Sequence, residues 1–422
     1  MTPAATPSPL LSLYVHLPWC VRKCPYCDFN SHRAPEELPI DAYVTALIAD
    51  LDRDLADMPE LAGRRIDTVF FGGGTPSLFP ATAIGTIIEQ ANARLAFTEN
   101  VEITLEANPG TIERGRFHDY RRAGVNRISL GVQSFDNTML QRLGRIHDGD
   151  QALRAAREVR EAGIDNLNLD LMYALPEQDL DGALADLDAA LALAPEHLSH
   201  YQLTLEPHTE FARRPPPLPD NDLAAEMMIQ CQARLADAGW QHYETSAYAR
   251  PGRACRHNLN YWRYGDYLGI GAGAHGKLTL AGQVRRRWKQ RHPKRWQATA
   301  GSAQALGGDD AVAVADLPFD YALNALRLHE GFTSAQFSAA TGLPLAAIVN
   351  TLMVAEQRGL IEIRPVAGQA GREQAPTATG VALASLTAPM QILPSAHGRH
   401  FLNDLLELFL PEQQPTPAAS SA

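Results

Sequence analysis

Leu11-Ser12-Leu13-Tyr14-Val15-His16-Leu17-Pro18, followed by Trp19 and then Cys20-Val21-Arg22-Lys23-Cys24-Pro25-Tyr26-Cys27, is the stretch that orients the whole chain. Its first half is short and almost wholly apolar, which reads as a strand covered on both faces, as in a parallel sheet flanked by helices. Its second half places three thiols directly after that strand, where a loop at the carboxyl end of a parallel sheet can wrap a cofactor. A cubane cluster has four irons, so three thiolates leave one iron open to an outside ligand, the arrangement that lets a cluster do chemistry. The competing use of clustered cysteines is a structural zinc site completed by His16 or His32, although zinc ligands usually come as two separated pairs.

Working outward, short β-branched apolar runs alternate with longer amphipathic stretches up to about Thr204, the pattern of repeated βα units. Strands are expected at Leu11 to Pro18, Thr68 to Phe71, Val101 to Glu106, Arg127 to Gln133, Asn166 to Met172 and His197 to Thr204. Six units make an α/β fold, a partial (β/α)6 barrel, rather than the full eight. Residues 11–240 are assigned to this barrel and 241–316 to a sheet extension (strands at Tyr243 to Tyr248 and Tyr267 to Gly271) that ends in a basic, irregular linker, Arg285 to Arg295. From 317 to 410 three helical patterns, the strand-like Leu360 to Ile363 and a last helix predict a small winged-helix-like domain. An aperiodic insertion lies near 367–386, and residues 1–10 and 411–422 read as disordered ends.

Composition narrows the function. The 422 residues are 45% hydrophobic, enough for more than one core. A net charge of −11 disfavours phosphate backbones and anionic lipid. No run approaches the roughly 20 apolar residues of a membrane span, and the start lacks a secretory signal, so a soluble cytoplasmic protein is expected. The five cysteines do not form a disulfide framework; Cys231, among Met227, Met228 and Leu235, reads as core.

Chemistry-bearing residues recur at the ends of the expected strands. Gly72-Gly73-Gly74-Thr75-Pro76 would let backbone N–H groups approach a ligand, although without a following Gly-Lys-Ser/Thr it is no phosphate loop, and a bare tight turn is an equal reading. Glu106, Gln133 and Asp170 each interrupt an apolar run. A buried carboxylate costs several kcal/mol unless something partners it, so Glu106 and Asp170 imply a polar ligand or paired cations at the barrel mouth.

The Cys-x3-Cys-x2-Cys spacing, with Tyr26 before the last cysteine, resembles the signature of the radical SAM superfamily. The resemblance implies a [4Fe-4S] cluster on Cys20, Cys24 and Cys27, its open iron chelated by S-adenosylmethionine, with a low-potential electron donor. The glycine run resembles the motif that meets the methionyl amino group. Within that superfamily the chain is similar, over nearly its whole length, to the oxygen-independent coproporphyrinogen oxidase family. By that similarity Tyr14, Tyr26, Gly73, Gly74, Thr75, Glu106, Gln133, Arg145 and Asp170 would contact S-adenosylmethionine.

It most resembles the HemW-type haem chaperones, relatives of that oxidase. The oxidase has a further cysteine where this chain has Phe29, and an N-terminal extension for which little room is left here; both departures put decarboxylation in doubt. His257-Asn258-Leu259-Asn260-Tyr261-Trp262 resembles the chaperones' haem motif, with His257 as the axial ligand and Asn258, Tyr261 and Trp262 around the macrocycle. Without the resemblance, His257 would read as an ordinary loop histidine. Cys255 is not part of a Cys-x-x-Cys-His attachment site.

The expected function is a haem chaperone that passes haem to an acceptor haemoprotein, respiratory by expectation, with room left for a homodimer. The alternatives are coproporphyrinogen oxidation and a nucleic-acid reader built from the C-terminal domain. Arg285, Arg286, Arg287, Lys289, Arg291, Lys294 and Arg295, interleaved with Trp288 and Trp296, could be a solvated linker face, meet haem propionates or serve such a reader. Leu343 to Gln357 offers a nucleic-acid reader no lysine or arginine.

Overall fold

A computed structural model describes residues 10–111, 115–366 and 389–411. The ends and the insertion near 367–386 expected from composition lie outside them, apart from Leu10 and Pro411. The chain divides into two compact units, one of residues 1–260, 265–280 and 285–310, the other of residues 261–264, 281–284 and 311–422.

The first strand, β1 (Leu11–Leu17), buries all but Tyr14, as its continuous apolar run requires of a strand covered on both faces. It is followed in space and in sequence by parallel strands β2 (Ile66–Gly73), β3 (Phe97–Ala107), β4 (Arg127–Gln133), β5 (Leu167–Tyr173) and β6 (His197–Gln202). Helices Ile40–Asp57, Ala81–Arg94, Arg116–Arg122, Gly149–Glu161 and Leu180–Ala192 make the crossovers. Two of them start at side-chain caps readable in the sequence: Asp148 and Gln151 form a capping box, and Asp179 accepts from the Gly182 N–H. This is the partial βα barrel expected from the alternation.

Beyond it, the run expected as one strand at Tyr243 to Tyr248 is a hairpin, β7 (Gln241–Glu244) and β8 (Ala247–Ala249), whose second arm lies antiparallel to β6. On the other edge β9 (Tyr267–Ile270) runs parallel to β1. Then come β10 (His275–Leu280), β11 (Gln283–Lys289) and β12 (Leu306–Ala311), completing a twelve-stranded sheet ordered β12-β11-β10-β9-β1-β2-β3-β4-β5-β6-β8-β7.

The basic stretch is therefore not an irregular linker. Strand alternation sends Arg285, Arg287 and Lys289 to one face, where aspartates receive them. Lys289 Nζ lies 2.7 Å from both Asp50 and Asp54 on the buried side of helix Ile40–Asp57. Arg287 reaches Asp54, Asp57 and Asp309 at 3.1, 2.6 and 3.1 Å. Lysine buried to this degree is stable only when paired. Although burial pushes it up, Arg287 and Arg53 hold the Asp57 carboxyl below its usual range.

The second unit has its own core, in which Tyr321 meets Phe332 and Phe337 edge-on, with Ile348, Leu352, Ala355, Ile392 and Leu405. Its sheet consists of Phe332–Thr333, Met390–Pro394 and Ile361–Pro365, in that order. Among the described residues no single helix is long and apolar enough to cross a membrane. Helices Ser334–Thr341 and Leu345–Gln357 pass that test only together, bent by 99°.

Candidate functional site

The cysteine loop leaves β1 and is closed at its base by a two-residue ladder, Trp19 opposite His32 and Cys20 opposite Arg33. Trp19 anchors it from below, 4.6 Å edge-on from Tyr43. Its far side is tied by Asn30, whose amide donates to the Ala272 and Arg291 carbonyls, each at 2.9 Å. Each sulfur lies beside a polar neighbour. Thr75 Oγ1 donates to Cys20 Sγ at 3.4 Å, Arg145 Nη1 to Cys24 Sγ at 3.6 Å, and Cys27 Sγ lies 3.7 Å from Ser31 Oγ.

Burial pushes the Cys20 thiol up against the Thr75 hydrogen bond, with Cys27 and Cys24 pushing the same way; burial likewise raises Cys27. Cys20 and Cys27, held back from ionising by burial and by neighbouring thiols, suit a cationic iron cluster, which would remove that penalty. His16 Nε2 is 2.9 Å from the Asn30 carbonyl and His32 Nε2 is 3.3 Å from Asn30 Oδ1, so each expected fourth zinc ligand has that contact instead. The donor set fits a cluster held by three thiolates.

The strand register brings the other expected residues to the same mouth. Glu106 stands opposite Ser129, Gly131 opposite Asp170, and Asp170 opposite Ser199. Glu106 Oε2 accepts from the Gly73 N–H at 3.3 Å. Asp170 accepts from Asn168 Nδ2 at 2.7 Å and Ser129 Oγ at 3.1 Å. Burial, then the Asp170 charge, raises Glu106 from 4.5 to about 8. Burial also raises Asp170, and it raises Tyr14, whose hydroxyl is 3.2 Å from His16 Nδ1.

Gln133 has a left-handed φ of 71°, costly for a residue with a side chain, and its Oε1 accepts from Tyr201 at 2.9 Å. Arg145 Nη2 donates to the Gly131 carbonyl at 2.6 Å, while Nε is buried without a hydrogen-bond partner. Against burial, Tyr26 and Cys24 hold that guanidinium charged. Two carboxylates deep in an apolar bore, met by neutral donors and next to a thiol loop, make a seat for a compact cation that also reaches a metal.

The glycines act differently from expectation. Gly74 and Thr75 N–H donate to the Leu17 and Trp19 carbonyls, both at 2.8 Å, so they are already engaged within the chain. A Cβ at Gly74 would fall 2.6 Å from the Trp19 carbonyl oxygen, and one at Gly73 2.5 Å from the His16 ring. The run is glycine because Tyr14 and His16 of β1 and the Pro18–Trp19 backbone pack on it.

With this geometry in view, the comparisons with known proteins are direct. The radical SAM superfamily profile matches residues 14–189. The chain is 48% identical to "Heme chaperone HemW" of Escherichia coli (strain K12) over 405 residues, 96% of this chain and 99% of that one. It is 44% identical to the Haemophilus influenzae protein of the same description, again over 96% and 99%. The chain belongs to the HemW branch of the radical SAM superfamily. Among solved structures it is similar to the Escherichia coli coproporphyrinogen III oxidase HemN, a radical SAM enzyme, with a TM-score of 0.76 over 96% of this chain and 91% of that one. At 22% identity, that likeness speaks for the fold alone.

In this HemW-branch chain the histidine of the expected haem motif is buried. His257 is 1% exposed, with Nδ1 2.7 Å from Thr68 Oγ1 and its ring stacked 5.0 Å from Phe70. Thr68 stands near the amino end of β2, so the imidazole lies at the barrel floor, away from the cluster loop. Burial lowers its pKa to about 3, which keeps it neutral. Asn258 is half-buried beside it, whereas Tyr261 and Trp262 belong to the second unit, where Arg327 covers the Trp262 ring at 4.3 Å. The helix Arg256–Trp262 sets this arrangement, since residues one position apart point to different sides.

Asn30, Ser129, Asn168 and Tyr201 are site residues that sequence reasoning missed. Asp186 is another: it accepts from Ser134 Oγ and the Phe135 N–H, both at 2.6 Å, and fixes the turn after Gln133. Only Ser129 and Asn168, polar within apolar strands, carried a signal.

Proposed function

We propose that this protein is a haem chaperone: it binds haem beside a [4Fe-4S] centre and hands it to an acceptor haemoprotein, respiratory by expectation, in the cytoplasm. The observation that carries this reading is end-to-end likeness to proteins described as haem chaperones, covering 99% of their length. In this reading Cys20, Cys24 and Cys27 hold the cluster. Glu106 and Asp170 supply negative charge to the ammonium and sulfonium groups of S-adenosylmethionine, and Tyr14, Tyr26, Thr75, Gln133 and Arg145 shape its seat. When bound, the cluster would supply a low-potential electron drawn from an external donor. Thr75, Arg145 and Ser31 then tune it through hydrogen bonds to sulfur.

Coproporphyrinogen decarboxylation is not part of the proposal, because Phe29 stands where the oxidase has its additional cysteine. The test is anaerobic reconstitution followed by haem titration. We expect iron and sulfide near cluster stoichiometry and a saturable Soret band. A band that grows without saturation, as for free haem, overturns the reading.

A further inference from the structure

Strand register places a second polar layer next to Asp170. Ser129 of β4 stands opposite Asn168 of β5, and Asn168 stands opposite His197 of β6. Side chains two apart on a strand share a face, so Asn168 lies on the Asp170 side of β5 and His197 on the Ser199 side of β6. His197 and Asn168 are 1% and 2% exposed, so every polar atom they carry has to be met within the chain.

Hydrogen-bond chemistry then fixes the direction of each link. A charged carboxylate only accepts, so the Asn168 amide presents its NH2 to Asp170 Oδ1 at 2.7 Å, and the same group donates to Ser129 Oγ at 2.8 Å. That leaves Asn168 Oδ1 to accept, from His197 Nδ1 at 2.6 Å and from Ser199 Oγ at 3.2 Å. Burial, then the Arg127 charge, holds the imidazole well below its usual range, so it is neutral and carries one N–H. With that proton on Nδ1, Nε2 accepts from the Tyr243 hydroxyl at 2.8 Å. The donors therefore run one way, from Tyr243 to His197 to Asn168 to Asp170. An amide with its ends exchanged would set Oδ1 against the carboxylate and its NH2 against the Nδ1 proton, two repulsive contacts at once.

We infer that His197 is a positioning residue for the S-adenosylmethionine seat: its Nδ1–H keeps the Asn168 NH2 turned toward Asp170 and so holds that carboxylate in one place as an acceptor. It stands one residue removed from the carboxylate and acts through Asn168. The inference rests on the reading that S-adenosylmethionine binds at Asp170, and it adds what keeps that seat ready before the ligand arrives. A group already held in its bound geometry costs less to order on binding.

The test is calorimetric titration of full-length, anaerobically reconstituted protein with S-adenosylmethionine. His197→Phe keeps a ring and loses the donor, and affinity should fall about tenfold. His197→Asn leaves a cavity but places an amide N–H where Nδ1–H stood. It should return affinity to within about threefold of wild type while lowering stability in denaturant melts. A role in filling space predicts the opposite ranking, with Phe mild and Asn severe. In an Asp170→Asn background His197→Phe should have no further effect, because its effect passes through that carboxylate. Tyr243→Phe removes only the hydroxyl that fixes the tautomer and should weaken binding roughly threefold; wild-type affinity there overturns the inference if His197→Phe fails to load its cluster. It is equally overturned by wild-type affinity in His197→Phe, by failure of His197→Asn to recover binding, or by an additive loss in the Asp170→Asn background. Each of these leaves the seat itself standing, whereas failure of wild type to bind S-adenosylmethionine would overturn both.

Discussion

The two ends of the barrel bore are both polar, yet they handle charge in different ways. At the floor, Glu102 accepts from the His257 N–H at 3.1 Å and the Arg256 N–H at 3.3 Å, and from Cys255 Sγ at 3.6 Å. Thr68 joins Ser12 and His257, each at 2.7 Å, and Arg127 donates to Asn166. At the mouth, Glu106 and Asp170 receive hydrogen bonds from neutral donors, burial raises both, and the Asp170 charge raises Glu106 further. The difference teaches how to tell structure from site: groups satisfied inside the chain hold the fold, and a charge left costly is waiting for a ligand.

The largest expected effect is at the mouth. Cys24→Ala should abolish cluster assembly, read as loss of iron, sulfide and the visible charge-transfer absorption, while the fold persists by circular dichroism. Next, Glu106→Gln should weaken S-adenosylmethionine binding on the order of a hundredfold by calorimetry, because a cationic ligand loses its partner in a desolvated site.

The same carboxylate predicts a pH dependence. Below about 8 the buried Glu106 is largely neutral in the ligand-free barrel. Binding a cation therefore releases a proton, and affinity should rise with pH and level off above that value. Stability runs the other way. A carboxyl raised in the folded state is charged first in the unfolded chain, so stability falls as pH climbs from 4.5 through about 8, and Glu106→Gln should flatten that fall. A pH-independent affinity between 6 and 8 would contradict the assignment.

The floor should respond in stability alone. His257→Ala is expected to cost roughly 3 kcal/mol in denaturant melts, from a cavity and a lost buried hydrogen bond, with cluster content and S-adenosylmethionine affinity unchanged. Smallest of all, Thr68→Val should cost about 1 kcal/mol and likewise spare the mouth. A floor variant that lost S-adenosylmethionine binding would erase the distinction.

Much of this was legible in the residues. The runs at Arg127 to Gln133 and Tyr267 to Gly271 became strands almost at the expected ends, because an apolar β-branched run bounded by turn residues has few other uses. Glu106 and Asp170 announced a site because carboxylates do not belong in such runs. The basic stretch was misread as a linker because its partners, Asp50, Asp54 and Asp57, precede it by more than two hundred residues, and local pattern carries no trace of such pairing. The His257 motif was legible as a pattern and opaque as a place: six residues of helix do not say which side faces the barrel.

The pairing of β1 with β9 has a consequence for the order of assembly. Leu13 finds its partner Leu268, and Asn30 its partner carbonyl at Arg291, only after most of the first unit has been synthesised. At about 5–20 residues per second, the ribosome leaves the thiol loop unbraced for roughly ten to fifty seconds after its cysteines emerge. The ligands are made among the first residues and the carbonyl that braces their loop 261 residues after Asn30, so a fully braced site has to wait for that segment.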